Sequence, residues 1–267
     1  MAYSDKKVLL SFDAEEFDVP FENGVAYSLE EGMAVSNYGI EVILDLLKRN
    51  QVRATFFCTG TFAQHAPHLI QRMVEDGHEI ACHGVDHLHP RETDPFNSKE
   101  MVEQVSGSEI KGYRQPRMFP VKDEDILQAG FKYDSSLNPT CIPGRYMHLK
   151  EPRTWFKRGD LIEVPASVTP WFRFPLFWLS LHNLPLRLYC RLAFRTLKKD
   201  SYFITYFHPW EFYPLYKHPE FKLSGIIRRN SGEKMASRLE RLVHYLRDKG
   251  ASFSTISAYL SSQGAEL

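Results

Sequence analysis

The sequence predicts an α/β fold: a closed β/α barrel of seven or eight strands, (β/α)7-8, built as a single domain over residues 1–267. Three observations lead there. Apolar runs of strand length alternate with segments of helical period, the signature of parallel β/α units. Seven or eight such strands in about 260 residues suit a closed barrel better than a three-layer open sheet. Finally, several of the apolar runs hand over to an ionisable residue at the C-terminal end: Asp13, His83, Arg114, Asp134 and His208. In a parallel barrel those ends meet on one face, where such barrels carry out chemistry.

Taken in order, "KVLLSFD" (7–13) is an apolar strand. "SNYGIEVILDLLKRNQ" (36–51) spaces Ile40, Ile43, Leu44 and Leu47 as one helical face. "ATFFC" (54–58) is the second strand, and 62–77 repeats the helical period from Phe62 to Met73, with Gly77 suited to a C-terminal cap. "EIACH" (79–83) is the third strand. Strands follow at 111–114 and 131–136, with a short helix at 123–130 between them, and again at 161–167 and 202–208. An amphipathic helix covers 234–250, and 251–260 reads as a last strand leading into a terminal helix. No linker, repeat or low-complexity tract divides the chain.

Composition bounds the function. Lys plus Arg and Asp plus Glu both number 33, so the net charge gives no reason to expect a nucleic-acid partner. The opening residues hold no apolar run of secretory length, which points to a cytoplasmic protein. Cys58, Cys82, Cys141 and Cys190 are widely spaced without a CxxC pair and read as buried, reduced thiols.

The chemistry concentrates in two short stretches. In "EIACHGVDHLHP" (79–90), His83 and His87 stand four apart just past a buried strand, a spacing that lets both imidazoles reach one ion. In "SFDAEEFD" (11–18), Asp13, Glu15, Glu16 and Asp18 repel one another unless a cation compensates them. Two histidines and one carboxylate form a common zinc set with positions left for water and substrate. His208, in "YFITYFHPWEF", is suited to general acid work, and Arg114, in "GYRQP", to holding a carboxylate ionised.

Five short motifs in this order resemble the polysaccharide deacetylase family, the NodB-like carbohydrate esterases: "SFDAEE", "HGVDH", "RQP", "YDSS" and "YFHP". Their detailed forms are most similar to an exopolysaccharide-associated bacterial branch. The resemblance implies a metal-dependent hydrolase that removes N-acetyl groups from a sugar polymer or its lipid-linked precursor, on a distorted barrel. It also implies the roles. Asp13 is the base, His83 and His87 are ligands of a divalent metal such as zinc, His208 protonates the leaving amine, Asp134 orients His208, and Arg114 pairs with Asp13. Pro116 and Tyr133, within these motifs, border the substrate. Apart from the resemblance, the aromatic rings of Trp155, Trp171 and Trp210 are candidates to stack on sugars. Family members place an Asp directly after the base, whereas this chain has Ala14, so the carboxylate ligand becomes Glu15 or Glu16. Residues 13 and 15 share a strand face, which favours Glu15. Two other readings stand beside this one: an allantoinase-like, metal-independent hydrolase of small cyclic amides, with which Gly84 in "HGVDH" is associated, and an inactive glycan-binding protein.

The stretch 170–195 holds Arg173, Arg187, Arg191 and Arg195 and no acidic residue. Pro, His and Asn interrupt it too often for a membrane span. It reads as barrel helix plus loop, or as a peripheral contact with the inner membrane face. A homo-oligomer is compatible with everything above.

Overall fold

The computed structural model describes residues 6–267. The strands are β1 (Lys7–Ala14), β2 (Thr55–Cys58), β3 (Glu79–Cys82), β4 (Gly112–Tyr113), β5 (Tyr133–Asp134), β6 (Cys141–Ile142), β7 (Tyr146–Met147), β8 (Phe156–Arg158), β9 (Leu161–Glu163), β10 (Tyr202–Phe207) and β11 (Ser252–Phe253). The helices are α1 (Val19–Glu22), α2 (Leu29–Arg49), α3 (Gly60–His65), α4 (Pro67–Glu75), α5 (Asp94–Ser106), α6 (Asp123–Gln128), α7 (Trp178–Asn183), α8 (Leu186–Asp200), α9 (Gly225–Arg228), α10 (Glu233–Asp248) and α11 (Ile256–Ser262). One curled sheet runs β10-β1-β2-β3-β4-β5-β9-β8, with β11 added beside the start of β1. Every pairing is parallel except β8 with β9. The fold is therefore α/β, a distorted (β/α) barrel. Its seam between β9 and β10 is spanned by Ser167, whose N–H donates to the Ile204 carbonyl (3.2 Å) and whose Oγ accepts from the Ile204 N–H (3.0 Å).

Alternation along β1 sets the two sides of the sheet. Val8, Leu10, Phe12 and Ala14 face the helices and join the main core with α2, α3, α4, α8 and α10. Leu9 faces the barrel interior, where Phe57, Ala81, Tyr133, Ile162 and Ile204 pack above a floor made by Ile256, Tyr259 and Leu260 of α11. Further along that inner face come Ser11 and Asp13, both buried and both bonded to Arg114. The interior is thus apolar at the N-terminal ends of the strands and polar at the C-terminal ends.

Several elements depart from the sequence expectations for local reasons. The second helix starts at Leu29 because Ser28 and Glu31 form a reciprocal capping box. The helix expected over 62–77 is two, because Pro67 has no N–H to continue the first and instead opens the second. Helix α5 escapes periodicity because its buried residues are Asp94, Pro95, Ser98, Val102 and Ser106, small and mostly polar. Glycine matters at one helix: a Cβ on Gly39 of α2 would lie 1.9 Å from the Pro209 carbonyl oxygen, so α2 rests directly on the loop after β10. The stretch 170–195 folds into a loop, α7 and α8, and among the described residues no helix is long and apolar enough to cross a membrane. Cys58, Cys82 and Cys190 are buried thiols, while Cys141 is half-buried.

Candidate metal and acid–base site

Arg114 organises the site. It follows β4 directly, is fully buried, and has its Cζ over the Phe57 ring, 3.9 Å from the centroid. Its Nη1 donates to Asp13 Oδ1 (2.5 Å), Nε to the Ser135 carbonyl (3.0 Å), and Nη2 to Ser11 Oγ (3.1 Å) and Ser135 Oγ (3.0 Å). A buried guanidinium is tolerated only with such full pairing. Burial opposes ionisation of Asp13, but Arg114, with His83 and His208, outweighs it and holds the carboxyl below the usual carboxylate range. Asp13 Oδ2 is left facing His208 Nε2 across 3.8 Å.

Beside this pair, Glu15, His83 and His87 converge. Glu15 Oε2 lies 3.3 Å from His83 Nε2 and 3.4 Å from His87 Nε2, and these ligand atoms all fall within 4.8 Å of one another. The opposite edge of each imidazole is fixed. His83 Nδ1 donates to the Arg114 carbonyl (2.8 Å) and His87 Nδ1 to Asp18 Oδ2 (2.8 Å), which Arg117 also bonds (3.0 Å). With Nδ1 carrying the proton, each Nε2 turns a lone pair toward Glu15. Glu15 Oε2 is buried and has no hydrogen-bond partner. Lone pairs facing one another here repel, and a proton on Glu15 or a cation among the three atoms removes the repulsion. The donor set, two imidazole nitrogens and one carboxylate oxygen, fits a divalent ion such as zinc. Burial pushes the Glu15 carboxyl well above its ordinary range, with His87 the main opposing influence.

Glu16 has a different task. Its Oε1 accepts from the His87 N–H (2.7 Å) and its Oε2 from Thr59 Oγ1 (2.8 Å), pinning the loop after β3. Gly84 in that loop has φ +69°, and a Cβ there would press on the Pro116 ring at 2.7 Å. The positive φ and the close Pro116 ring favour a glycine at this position.

His208 follows β10. Its ring stacks on Trp210 (5.0 Å) and meets Trp178 edge-on (5.4 Å). Both its backbone N–H (2.6 Å) and its Nδ1 (3.0 Å) bond Glu211 Oε1, which aims Nε2 at Asp13. Burial pushes the pKa of His208 down to about 3 and that of Glu211 well up. Trp210 also donates from Nε1 to Glu15 Oε1 (3.3 Å), linking the acid–base pair to the metal set. Asp13, Glu15, His83, His87, His208 and Trp210 open on a cleft of about 500 Å³, walled by Arg117, Phe119, Arg145, His148, Trp178 and Tyr206.

Some expected residues lie elsewhere. Asp134 does not orient His208: its carboxylate accepts from Ser136 Oγ and pairs with Arg158 (3.2 Å), beside Glu163, and Glu211 occupies the position assigned to it. Tyr133 points into the barrel floor and donates to Glu79 (2.8 Å), at the far end of β3. Trp155 packs on the same lower cluster, with its N–H on Tyr202 Oη (2.8 Å). Pro116 is buried against Gly84. None of these four touches the cleft, because strand alternation or chain position turns them away from it. The sequence reading missed Glu211, whose signal is its spacing three residues past His208, and Trp178, which only the folding of α7 brings in.

Residues 2–119 match the family model "Polysaccharide deacetylase", and residues 135–261 match a domain of unknown function, DUF3473. Strands from both matched segments pair in the one sheet. A peptidoglycan deacetylase of Helicobacter pylori is 28% identical over 164 residues, 52% of this chain and 56% of that protein, so the match spans little more than half of the relative. Among solved structures, a Mycobacterium smegmatis protein assigned as a polysaccharide deacetylase superposes with TM-score 0.67 at 18% identity, covering 100% of this chain and 94% of the other. Puue allantoinase superposes with TM-score 0.64 at 13% identity, covering 99% and 93%. These two likenesses bear on the fold alone. The family match covers residues 2–119, less than half of the chain, and the relative is similar over about half of it.

Proposed function

We propose, with the polysaccharide deacetylase family as premise, that the chain is a metal-dependent hydrolase that removes N-acetyl groups from a sugar polymer. The observation that carries this is Glu15 Oε2, buried and unpartnered between two imidazole nitrogens. A divalent cation held by Glu15, His83 and His87 would supply Lewis-acid polarisation of the acetamide carbonyl and a more acidic water.

The chain's own groups account for the proton transfers. Asp13, kept ionised by Arg114, takes a proton from the attacking water through Oδ2. His208 rests neutral, so the proton it gives the leaving amine is one that arrives during turnover from Asp13, 3.8 Å away. Glu211 is the positioning residue that holds the His208 ring for this exchange. Trp178, Trp210 and Tyr206 wall the reacting centre and exclude water around it.

Acetate release from N-acetylated chitooligosaccharides and peptidoglycan fragments tests the reading. Asp13→Asn is expected to abolish nearly all of it while leaving the fold and the bound metal in place. Turnover of allantoin without metal, and no acetate from any glycan, would favour the cyclic-amide reading instead. The exopolysaccharide branch, a lipid-linked substrate and a position at the cytoplasmic face of the membrane belong to the same proposal, supported by the acid-free stretch 170–195 and tested by cell fractionation.

A further inference from the structure

Away from the cleft, α8 and α10 lie side by side and leave a groove of about 420 Å³ between them. Arg187 and Arg191 of α8, one helical turn apart, line one wall, and Arg241 of α10 lines the other. Buried Cys190 lies between them, and exposed Asp248 stands in the same groove.

These three arginines differ from the others that shape the fold. Arg49, Arg72, Arg114, Arg117, Arg153 and Arg158 each take a carboxylate. Among the described residues, Arg187, Arg191 and Arg241 form no ion pair or hydrogen bond, and Asp248 lies beyond 4.0 Å of any of them. No acid in 170–195 can neutralise α8 locally, and Glu240, the next acid on α10, is engaged by Arg49 (2.7 Å) and Asn50 (2.9 Å). Arg238 lies behind the groove, turned inward onto the carbonyls of Leu181 (2.8 Å) and Leu184, and adds to the positive field. Three like charges around one concavity repel one another, and guanidinium forks match the oxygens of a tetrahedral dianion.

We propose that the α8–α10 groove is a binding site for a phosphate group, carried either by a soluble ligand or by a lipid headgroup. Leu186 in the groove and exposed Leu188 next to it give an acyl chain or glycerol backbone an apolar surface beside the charge. Helix α8 precedes β10 and runs antiparallel to it, so its Arg187 end lies toward the barrel face that carries the cleft. A phosphate held there would fix the enzyme's orientation relative to a membrane or a phosphate-bearing substrate.

The test uses the full chain and its Arg191→Ser/Arg241→Ser variant, both exposed positions outside the cleft. Isothermal titration with inorganic phosphate and with pyrophosphate is run at low salt. Co-sedimentation is run with vesicles of phosphatidylcholine alone and with about a third phosphatidylglycerol. The expected result is binding in at least one anionic arm, weakened by salt and roughly tenfold or more weaker in the double variant, with acetate release unchanged. Binding to anionic vesicles without free phosphate binding assigns a lipid source, and the reverse assigns a soluble one. Absence of binding in every arm, binding equal on neutral vesicles, or binding undiminished in the variant overturns the proposal.

Discussion

Replacing Glu211 by Gln isolates one element of the site, the partner of the acid–base histidine. The substitution keeps the side chain's shape and one oxygen for the two N–H groups of His208, now at 2.6 and 3.0 Å. What it removes is the carboxyl's ability to ionise when His208 takes up a proton. Burial pushes His208 down to about 3 and Glu211 well up, so neither charges readily alone in this setting. His208 can take a second proton at low cost only with an ionised Glu211 beside it. A hydrogen bond to a charged partner contributes about 1–2 kcal/mol more than a neutral one. That corresponds to a loss of about 5- to 30-fold in kcat. KM should stay near its original value, because Glu211 is fully buried and lies outside the cleft lining. Losing the anionic partner also disfavours the imidazolium, so the His208 limb of the pH–rate profile should move to lower pH. Steady-state acetate release across pH measures both effects, with the thermal midpoint as a folding control. A variant with unchanged kcat and an unmoved limb would refute the assignment of Glu211 as the positioning residue.

Other outcomes follow from the same geometry. Arg114→Met leaves the Asp13 carboxylate buried without its partner, and urea denaturation should show about 3–5 kcal/mol lost; a change under about 1 kcal/mol would contradict the pairing as described. Asp18→Asn removes the carboxylate behind His87 and should weaken metal binding about 10- to 100-fold in a chelator competition. His182 is held near pKa 4 by burial and then by Arg238 and Arg229, against 6.5 in the unfolded chain, and its Nε2 accepts from the Asn230 N–H. The unfolded chain therefore binds the extra proton first. Stability conferred by neutral His182 is fully present above about pH 6.5 and declines by up to about 3 kcal/mol as pH falls toward 4. His182→Gln should flatten that slope, and an unchanged slope would exclude His182 as its source.

The barrel and most of the site were legible in the sequence because they sit on strands whose pattern is strong. Leu9, Ser11 and Asp13 alternate with Val8, Leu10 and Phe12, so the inward face of β1 could be followed as far as Glu15. In the structure the carboxylate oxygen near the two imidazole Nε2 atoms is that of Glu15, while Glu16 bonds the His87 backbone. What stayed hidden depended on contacts far apart in the chain. Asp134 ends a strand as Asp13 almost does, but β5 stands next to β9, and Arg158 and Glu163 capture its carboxylate. Tyr133, one residue earlier, consequently faces the barrel floor, and Trp155 is carried there with β8 and β9. Helix α5 left no trace in periodicity because serines fill its buried face, and the split at Pro67 shows a single residue overriding a long apolar period.

The central claim is that the histidines of "HGVDH" hold an ion with Glu15. Elemental analysis of the purified protein and of His83→Ala/His87→Ala, before and after zinc reconstitution, tests it most directly. The account predicts about one divalent ion per chain in the native protein and essentially none in the variant, with both still folded. No ion in the native protein even after reconstitution, or an equal content in the variant, would contradict it.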